Sequence, residues 1–266
     1  QNKSFFAIVN ATFYMERTLI GSLAGKKGEQ VLIQGWVSVR RDQGKMVFFD
    51  FRDRSGTVQG VVLPSEEPAM AVAKDVRAEY VVRVGGLVNE RPAKNVNAGV
   101  LNGNIELQIQ TMEVLGKAEP LPFDMSLTGY NLELPTELDH RALTLRHPRL
   151  QAIFKVQAVI IDSFREFMKS QDFFEFQAPT IVPATAEGGA EVFEVKYFDK
   201  KAYLSQSPQL YKQIVMTAFE RVFSVNKIFR AEPSVTTRHL TEVVSLDAEM
   251  GFIDSWKDVR DMAENT

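Results

Sequence analysis

Four groups of residues have types and spacings that could do chemistry. Arg230 and Glu232 stand two apart, Arg238-His239-Leu240 follows, and Asp247 and Glu249 again stand two apart. Residues i and i+2 of a strand share one face. Arginine offers a planar, permanently charged fork for phosphate or carboxylate. A loop Arg-His pair can reach over a polyphosphate, and the acids opposite can hold an ammonium, an amino group or a metal. A solvated hairpin laced with surface ion pairs would use the same residues, each pair contributing little. Gln206-Ser-Pro-Gln-Leu-Tyr-Lys212 forms the second group. Ser207, Gln209 and Lys212 fall at or within the first turn of a helix, where N–H groups favour an anion. Lys212 adds a point charge suited to a carboxylate, although Ser207 could equally act only as a cap. The third is Thr185-Ala-Glu-Gly-Gly-Ala-Glu191, where paired glycines could let Glu187 close over a ligand or make an ordinary turn. The fourth is Arg40-Arg41-Asp42 with Phe48 and Gln59. An exposed ring beside arginines is a stacking platform for unpaired bases. Phe48 and Asp50 share one strand face and Phe49 and Phe51 the other, and one of the two faces must be core.

The elements that must position these residues are of two kinds. Residues 31–39, 46–51 and 57–63 alternate in the strand period, with Gly44 and Ser55-Gly56 suited to hairpin turns. A helical segment, 67–75, precedes two more strands at 80–88 and 105–115. Three strands, a helix and two strands is the order of the OB-fold, although another five-stranded barrel would give the same string. Beyond a proline-bearing stretch, residues 150–170 place Ile153, Val156, Ile160, Phe164 and Phe167 on one stripe, which predicts an amphipathic helix. Residues 174–182 read as a strand interrupted by Pro179, 202–205 as a short strand, and 208–219 as a helix with Pro208 in its first turn. Strands at 221–232 and 242–252, joined by a loop, predict an antiparallel pair and not a crossover unit. No GxGxxG or Walker sequence is present.

The chain has 266 residues, is 45% hydrophobic and 24% charged, and contains no cysteine. Disulfide scaffolds, thiolate zinc sites and cysteine nucleophiles are therefore excluded, and the composition is too apolar for a disordered chain. No apolar run approaches the roughly 18–20 residues of a membrane span. Residues 1–115 hold 14 Lys+Arg against 12 Asp+Glu, a net of +2, and the remainder 17 against 22, a net of −5. The expected organisation is an extension upstream of the natural start at 1–14, an OB-fold at 15–115, a hinge at 116–148 and a second domain at 149–266.

In this order, the segments resemble class II aminoacyl-tRNA synthetases, in their aspartyl branch of archaeal-like type. Phe173-Phe-Glu-Phe-Gln-Ala-Pro179 is similar to the first motif of the class. Phe229-Arg-Ala-Glu-Pro-Ser-Val-Thr-Thr-Arg-His-Leu-Thr-Glu242 with Ser245-Leu-Asp-Ala-Glu-Met250 is similar to the second. The resemblance implies an α+β chain: an N-terminal OB-fold β-barrel that binds the anticodon, then part of an antiparallel-sheet catalytic domain. It implies that Arg230 binds the α-phosphate of ATP and the aspartate carboxylate as the catalytic residue. Glu232, Arg238, His239 and Leu240 would lie around ATP. Glu187, Ser207, Gln209 and Asp247 would hold the substrate ammonium, and Lys212 the β-carboxylate. In the barrel, Phe48 would stack on an anticodon base, with Gln59 and Arg41 beside it, and Pro179 would lie at a homodimer interface. Val243 stands where some members carry an aromatic under adenine. The implied reaction activates aspartate with ATP, Mg²⁺ bridging the phosphates, and passes the acyl group to the 3′ end of tRNA. No protein metal ligand is assigned in this chain, and a cytoplasmic enzyme without a membrane partner is expected. The third motif of the class is not found, so the 266-residue chain alone is expected not to aminoacylate. An asparaginyl enzyme, an amidating paralogue and a non-catalytic OB-type tRNA-binding protein are the alternatives.

Overall fold

A computed structural model describes residues 15–125, 130–184, 191–233, 236 and 239–266. The chain divides into two compact units, Gln1–Asp124 and Met125–Thr266. The expected upstream extension, 1–14, lies outside the described residues.

The first unit is a closed barrel of β1 (Gln30–Gln43), β2 (Met46–Asp53), β3 (Gly56–Val62), β4 (Val81–Glu90) and β5 (Ile105–Gly116), in the order β1-β2-β3-β5-β4. The helix α1 (Glu67–Ala73) lies between β3 and β4 in sequence. This is the OB-fold arrangement that the sequence pattern predicts. All neighbouring pairs run antiparallel except β3 and β5, which align Gly60 with Leu107 and Val61 with Gln108 in parallel. Closure leaves no open sheet edge. Alternation sends Val31, Ile33, Val37, Phe49, Phe51, Val58 and Val62 inward, where Phe49 and Phe51 stack with centroids 5.6 Å apart. The two faces of β2 are thus resolved: Phe49 and Phe51 are core, and Phe48 and Asp50 face outward. A bulge between Val37 and Val39 re-aims the end of β1. Gly35 is obligatory because a Cβ there would stand 2.3 Å from the Arg52 carbonyl oxygen.

The buried Asp53 carboxylate pins the chain entering the barrel. It accepts from the Ile20 N–H at 3.0 Å and from the Ser55 N–H and hydroxyl at 2.7 and 2.5 Å. Burial pushes the Asp53 carboxyl up. The Ser55 hydroxyl, the two backbone N–H groups and the Arg17 guanidinium outweigh it, so the carboxyl sits below its usual value.

The second unit contains α2 (Leu134–Asp139), α3 (Arg141–Thr144), α4 (Pro148–Ser170), α5 (Gln209–Phe219) and α6 (Trp256–Asn265). One three-stranded sheet has the order β11-β10-β6, from β6 (Phe174–Glu175), β10 (Arg221–Phe229) and β11 (Glu242–Met250). A second has the order β7-β9-β8, from β7 (Ile181–Val182), β8 (Glu194–Tyr197) and β9 (Lys200–Leu204). β10 and β11 form the expected antiparallel pair, with Phe229 opposite Glu242, Ser224 opposite Asp247 and Val222 opposite Glu249. The core brings Phe164 and Met168 of α4 onto Phe173 and Phe223, with Phe164 edge-on to Phe223.

Three local expectations are corrected. The single strand at 174–182 is two strands in different sheets: β6 pairs in parallel with β10 and β7 pairs with β9, the unpaired Pro179 lying between them. The strand at 221–232 ends at Phe229, because the Ala231 N–H turns to the Glu191 carbonyl at 3.1 Å and leaves the ladder. Pro208 is the residue before α5, not its first turn. The helix expected at 150–170 forms as α4, buried at its two ends through Leu150, Phe164 and Met168, whereas Ile153, Val156 and Ile160 between them are more than half exposed.

Candidate functional site

In the second unit, α5 packs against β10 and β11. Its entry is fixed by backbone bonds. The Ser205 N–H donates to Thr180 O and the Phe229 N–H to Ser205 O, both at 2.8 Å, while the Ser205 hydroxyl donates to Ser207 O at 2.8 Å. The Ser207 hydroxyl accepts from the Gln209 N–H at 3.2 Å, so Ser207 does help to cap the helix. One turn on, Lys212 points its ammonium at β11, 3.4 Å from Asp247 Oδ1 and 3.5 Å from Glu249 Oε2. The three side chains are only 12%, 17% and 26% exposed, so this is a semi-buried cation between two carboxylates. Asp247 and Glu249 share a face because they are two apart on a strand, as the sequence indicates. The other oxygen of Asp247, Oδ2, is buried and accepts no hydrogen bond among the described residues. An acceptor in that state is suited to a ligand donor.

Arg230 and Glu232 follow the end of β10, half-buried, with the Arg230 N–H bonded to Thr241 O at 3.1 Å. His239 returns toward the same place: its Nε2 stands 3.9 Å from Glu232 Oε2, and its Nδ1 is 2.6 Å from the Thr236 hydroxyl. Leu240 is exposed beside it. Glu187 and Arg238 lie outside the described residues. Pro179 is exposed in the connection between β6 and β7, and elsewhere in this unit Phe174 stacks on Phe219 at 4.2 Å. Glu249, read from the sequence as an acid beside Asp247 but given no part in the site that the resemblance implies, stands against Lys212 as closely as Asp247 does.

The barrel brings its own candidates together. Register pairs Arg41 with Phe48, Phe48 with Val61 and Asp50 with Gln59, so Arg41, Phe48 and Gln59 occupy one outward face. The Arg41 guanidinium grips Asp50 with two parallel bonds of 2.7 and 2.8 Å. That hydrogen bonding raises the Arg41 pKa above its usual value against the opposing effect of burial, with the Asp50 charge adding to it. The fork is therefore engaged by Asp50 and is not a free phosphate clamp.

Comparison with known proteins places both units. The family of tRNA synthetases class II (D, K and N) matches residues 133–266, just over half of the chain. The chain belongs to this family. The OB-fold nucleic acid binding domain family matches residues 31–115 of the synthetase chain. Among curated relatives, Aspartate–tRNA(Asp/Asn) ligase of Archaeoglobus fulgidus is 43% identical over 233 residues, covering 86% of this chain and 52% of the relative. Aspartate–tRNA(Asp) ligase of Pyrococcus abyssi is 41% identical over 243 residues, covering 89% and 53%. The chain thus spans about half the length of the curated relatives it matches. Among solved structures, asparaginyl-tRNA synthetase from Pyrococcus horikoshii complexed with asparaginyl-adenylate aligns with a TM-score of 0.83 at 33% identity, covering 93% of this chain and 56% of that one. A putative aspartyl-tRNA synthetase from Leishmania major gives a TM-score of 0.83 at 34% identity, covering 95% and 51%. Among the described residues no group of three or more His, Asp or Glu could hold a metal ion, and no helix is long and apolar enough to cross a membrane.

Proposed function

We propose that this synthetase chain serves an aspartate–tRNA ligase: the second unit activates aspartate with ATP, and the barrel face of Arg41, Phe48 and Gln59 reads the anticodon. The observation that carries the reading is Lys212. Aspartyl and asparaginyl relatives share the scaffold to the same TM-score, so overall shape does not choose between them. A semi-buried ammonium can take a substrate carboxylate as a further charge partner beside Asp247 and Glu249, whereas a neutral amide brings it no charge. Aspartate would lay its β-carboxylate on Lys212 and its ammonium against Asp247, whose free Oδ2 can accept it, with Glu187, Ser207 and Gln209 closing around it.

Arg230 then binds the α-carboxylate and the α-phosphate, offsetting the charge that builds as the carboxylate attacks phosphorus. Glu232, Arg238, His239 and Leu240 lie along the nucleotide. No protein nucleophile is needed, because the reaction rests on positioning and charge stabilisation. Mg²⁺ needs no all-protein cage, since it is held largely through substrate phosphates and one or two carboxylates. When bound, it neutralises phosphate charge. Lys212 already sits between Asp247 and Glu249, so no magnesium ligand is assigned to them. The second unit also presents Ile153, Val156, Ile160, Phe174 and Phe219 to solvent, apolar surface that supports a homodimer in which Pro179 would take part. A cytoplasmic location fits the whole reading.

ATP–pyrophosphate exchange on the complete gene product, with aspartate and asparagine as alternative substrates, is the test. Exchange should depend on aspartate and fall at least a hundredfold in Lys212→Met. Preference for asparagine would overturn the aspartate assignment.

A further inference from the structure

The barrel's outward face carries a second aromatic that the anticodon reading leaves unused. Trp36 is 41% exposed although it lies in the middle of β1, opposite Arg52 of β2. The Arg52 guanidinium is laid over the indole, 5.8 Å from the ring centroid. It is held there by Glu79 Oε2 at 2.7 Å and by the Ser38 hydroxyl at 3.1 Å. Glu79 itself is buried, 8% exposed, and its backbone has a φ of +67°. Left-handed backbone at a residue other than glycine costs about 1–3 kcal/mol and persists where the surroundings over-determine it, a pattern concentrated at functional positions. A buried carboxylate carries a further desolvation cost, and an apolar contact would cover an indole more cheaply. Strain and a buried ion pair are thus both spent on fixing a cation against an aromatic ring that stays open to water.

The location suggests what the ring is for. Phe48 and Arg52 lie four residues apart on one strand, about 13 Å at the usual rise, and point to the same side. Arg41, Phe48, Asp50, Gln59, Arg52 and Trp36 therefore form one continuous outward surface. Single-stranded nucleic acid is held on such surfaces by aromatic rings that stack successive bases, with arginine adding cation–π attraction. We propose that Trp36, clamped by Arg52 and Glu79, is a second nucleobase platform. It takes an unpaired base of the same RNA strand whose other base stacks on Phe48. The proposal rests on the reading of the barrel face as an RNA surface and adds a subsite to it.

The test uses intrinsic fluorescence. The chain has two tryptophans, so the Trp256→Phe variant leaves Trp36 as the sole reporter. An RNA stem-loop carrying the aspartate anticodon, end-labelled for anisotropy, gives binding independently of that emission. Binding should quench Trp36. Trp36→Ala should weaken binding by about 5- to 150-fold, the equivalent of one base stack, while Trp36→Phe should recover most of it. The salt slope of binding should stay the same in Trp36→Ala, because a base contact releases no counterions. Thermal unfolding of each variant identifies loss by misfolding, and the quench itself requires no change at Trp36.

Binding that Phe48→Ala weakens, with Trp36 emission unmoved and Trp36→Ala as tight as the parent, would overturn the platform and leave the barrel reading intact. No binding of the stem-loop at all would overturn both. A full quench with Phe48→Ala without effect would uphold Trp36 and remove Phe48 from the RNA surface.

Discussion

The barrel and the second unit satisfy their apolar residues in opposite ways. Among the described residues, twenty buried apolar side chains form one cluster in the barrel unit, against four in the core cluster of the second unit. Closure explains most of the first number: each strand has an inner face, and a closed sheet gives every inward residue partners on all sides. Ile20, Leu23, Ala69, Ala73 and Val76 join the cluster from outside the strands. In the second unit the helix α4 carries an apolar stripe, yet only its ends are covered, at Leu150 and at Phe164 and Met168, and Ile153, Val156, Val159 and Ile160 face water. The barrel is built to be finished by its own chain. The second unit exposes a surface that suits another protein surface, which is where a homodimer reading draws its support.

The sharpest way to break that contrast is to cut into each apolar set. Phe51→Ala should lower the stability of the barrel by about 3–5 kcal/mol, the usual cost of emptying a phenylalanine site in a packed core. The transition of the second unit should remain where it was. Val159→Ser, at a position 63% exposed, should change stability by no more than about 0.5 kcal/mol in dilute protein. Calorimetry on the full chain separates the two transitions. A Val159→Ser cost matching that of Phe51→Ala would mean that the α4 stripe is already covered.

A smaller difference should appear on acidification. His147 caps α4, its Nδ1 accepting from the Arg149 N–H at 3.3 Å, with its ring stacked on Tyr130 at 4.1 Å and 5% exposed. Burial, reinforced by the Arg149 charge and opposed by Glu137, lowers its pKa below the usual value. The unfolded chain therefore takes up the His147 proton before the folded chain does. Its contribution is complete above about pH 6.5 and is lost as pH falls through the folded value. The Asp53 carboxyl, also lowered, contributes fully above about pH 3.9 and loses its effect only below that. The second unit should thus weaken first and the barrel later. Each unit holds one tryptophan, Trp36 or Trp256, so emission from single-tryptophan variants follows them separately. His147→Asn keeps a capping acceptor and should abolish the earlier phase, while Asp53→Asn should alter only the later one.

Legibility in the sequence follows the same division. The five barrel strands could be read because one face of each is buried, so the period of two is written into Val31, Ile33, Phe49, Phe51, Val58 and Val62. In the second unit the pattern names an apolar stripe but not what covers it, and α4 shows the consequence. The run from Phe174 to Val182 reads as one strand interrupted at Pro179 because Phe174, Phe176, Ile181 and Val182 keep it apolar on both sides of the proline. Its division between two sheets depends on partners far away in the chain. Glu194–Tyr197 escaped notice because a four-residue strand with Glu194 and Lys196 exposed lacks an apolar signature. The residue types of the candidate site were legible, and so was the shared face of Asp247 and Glu249. The placement of Lys212 between those two was not, since it depends on how α5 packs across β11.

The smallest effect concerns two hairpins that solve one turn differently. Gln43 pairs with Met46 around Gly44 and Lys45, and Tyr197 pairs with Lys200 around Phe198 and Asp199. In both loops the first residue has positive φ, +62° at Gly44 and +57° at Phe198, where two-residue turns favour glycine. The barrel meets the demand with glycine, and the second unit holds a phenylalanine that is 80% exposed and touches Tyr197 edge-on. Phe198→Gly should therefore stabilise the second unit by up to about 1 kcal/mol, strain relief exceeding the added freedom of glycine in the unfolded chain. A Cβ at Gly44 meets nothing within 4 Å, so Gly44→Ala should cost the barrel about 1 kcal/mol through backbone conformation alone. Shifts of a few degrees in opposite directions, read in the two thermal transitions, would show the turns to be equivalent. A loss of stability in Phe198→Gly would show instead that the exposed ring is held by a contact worth more than its strain.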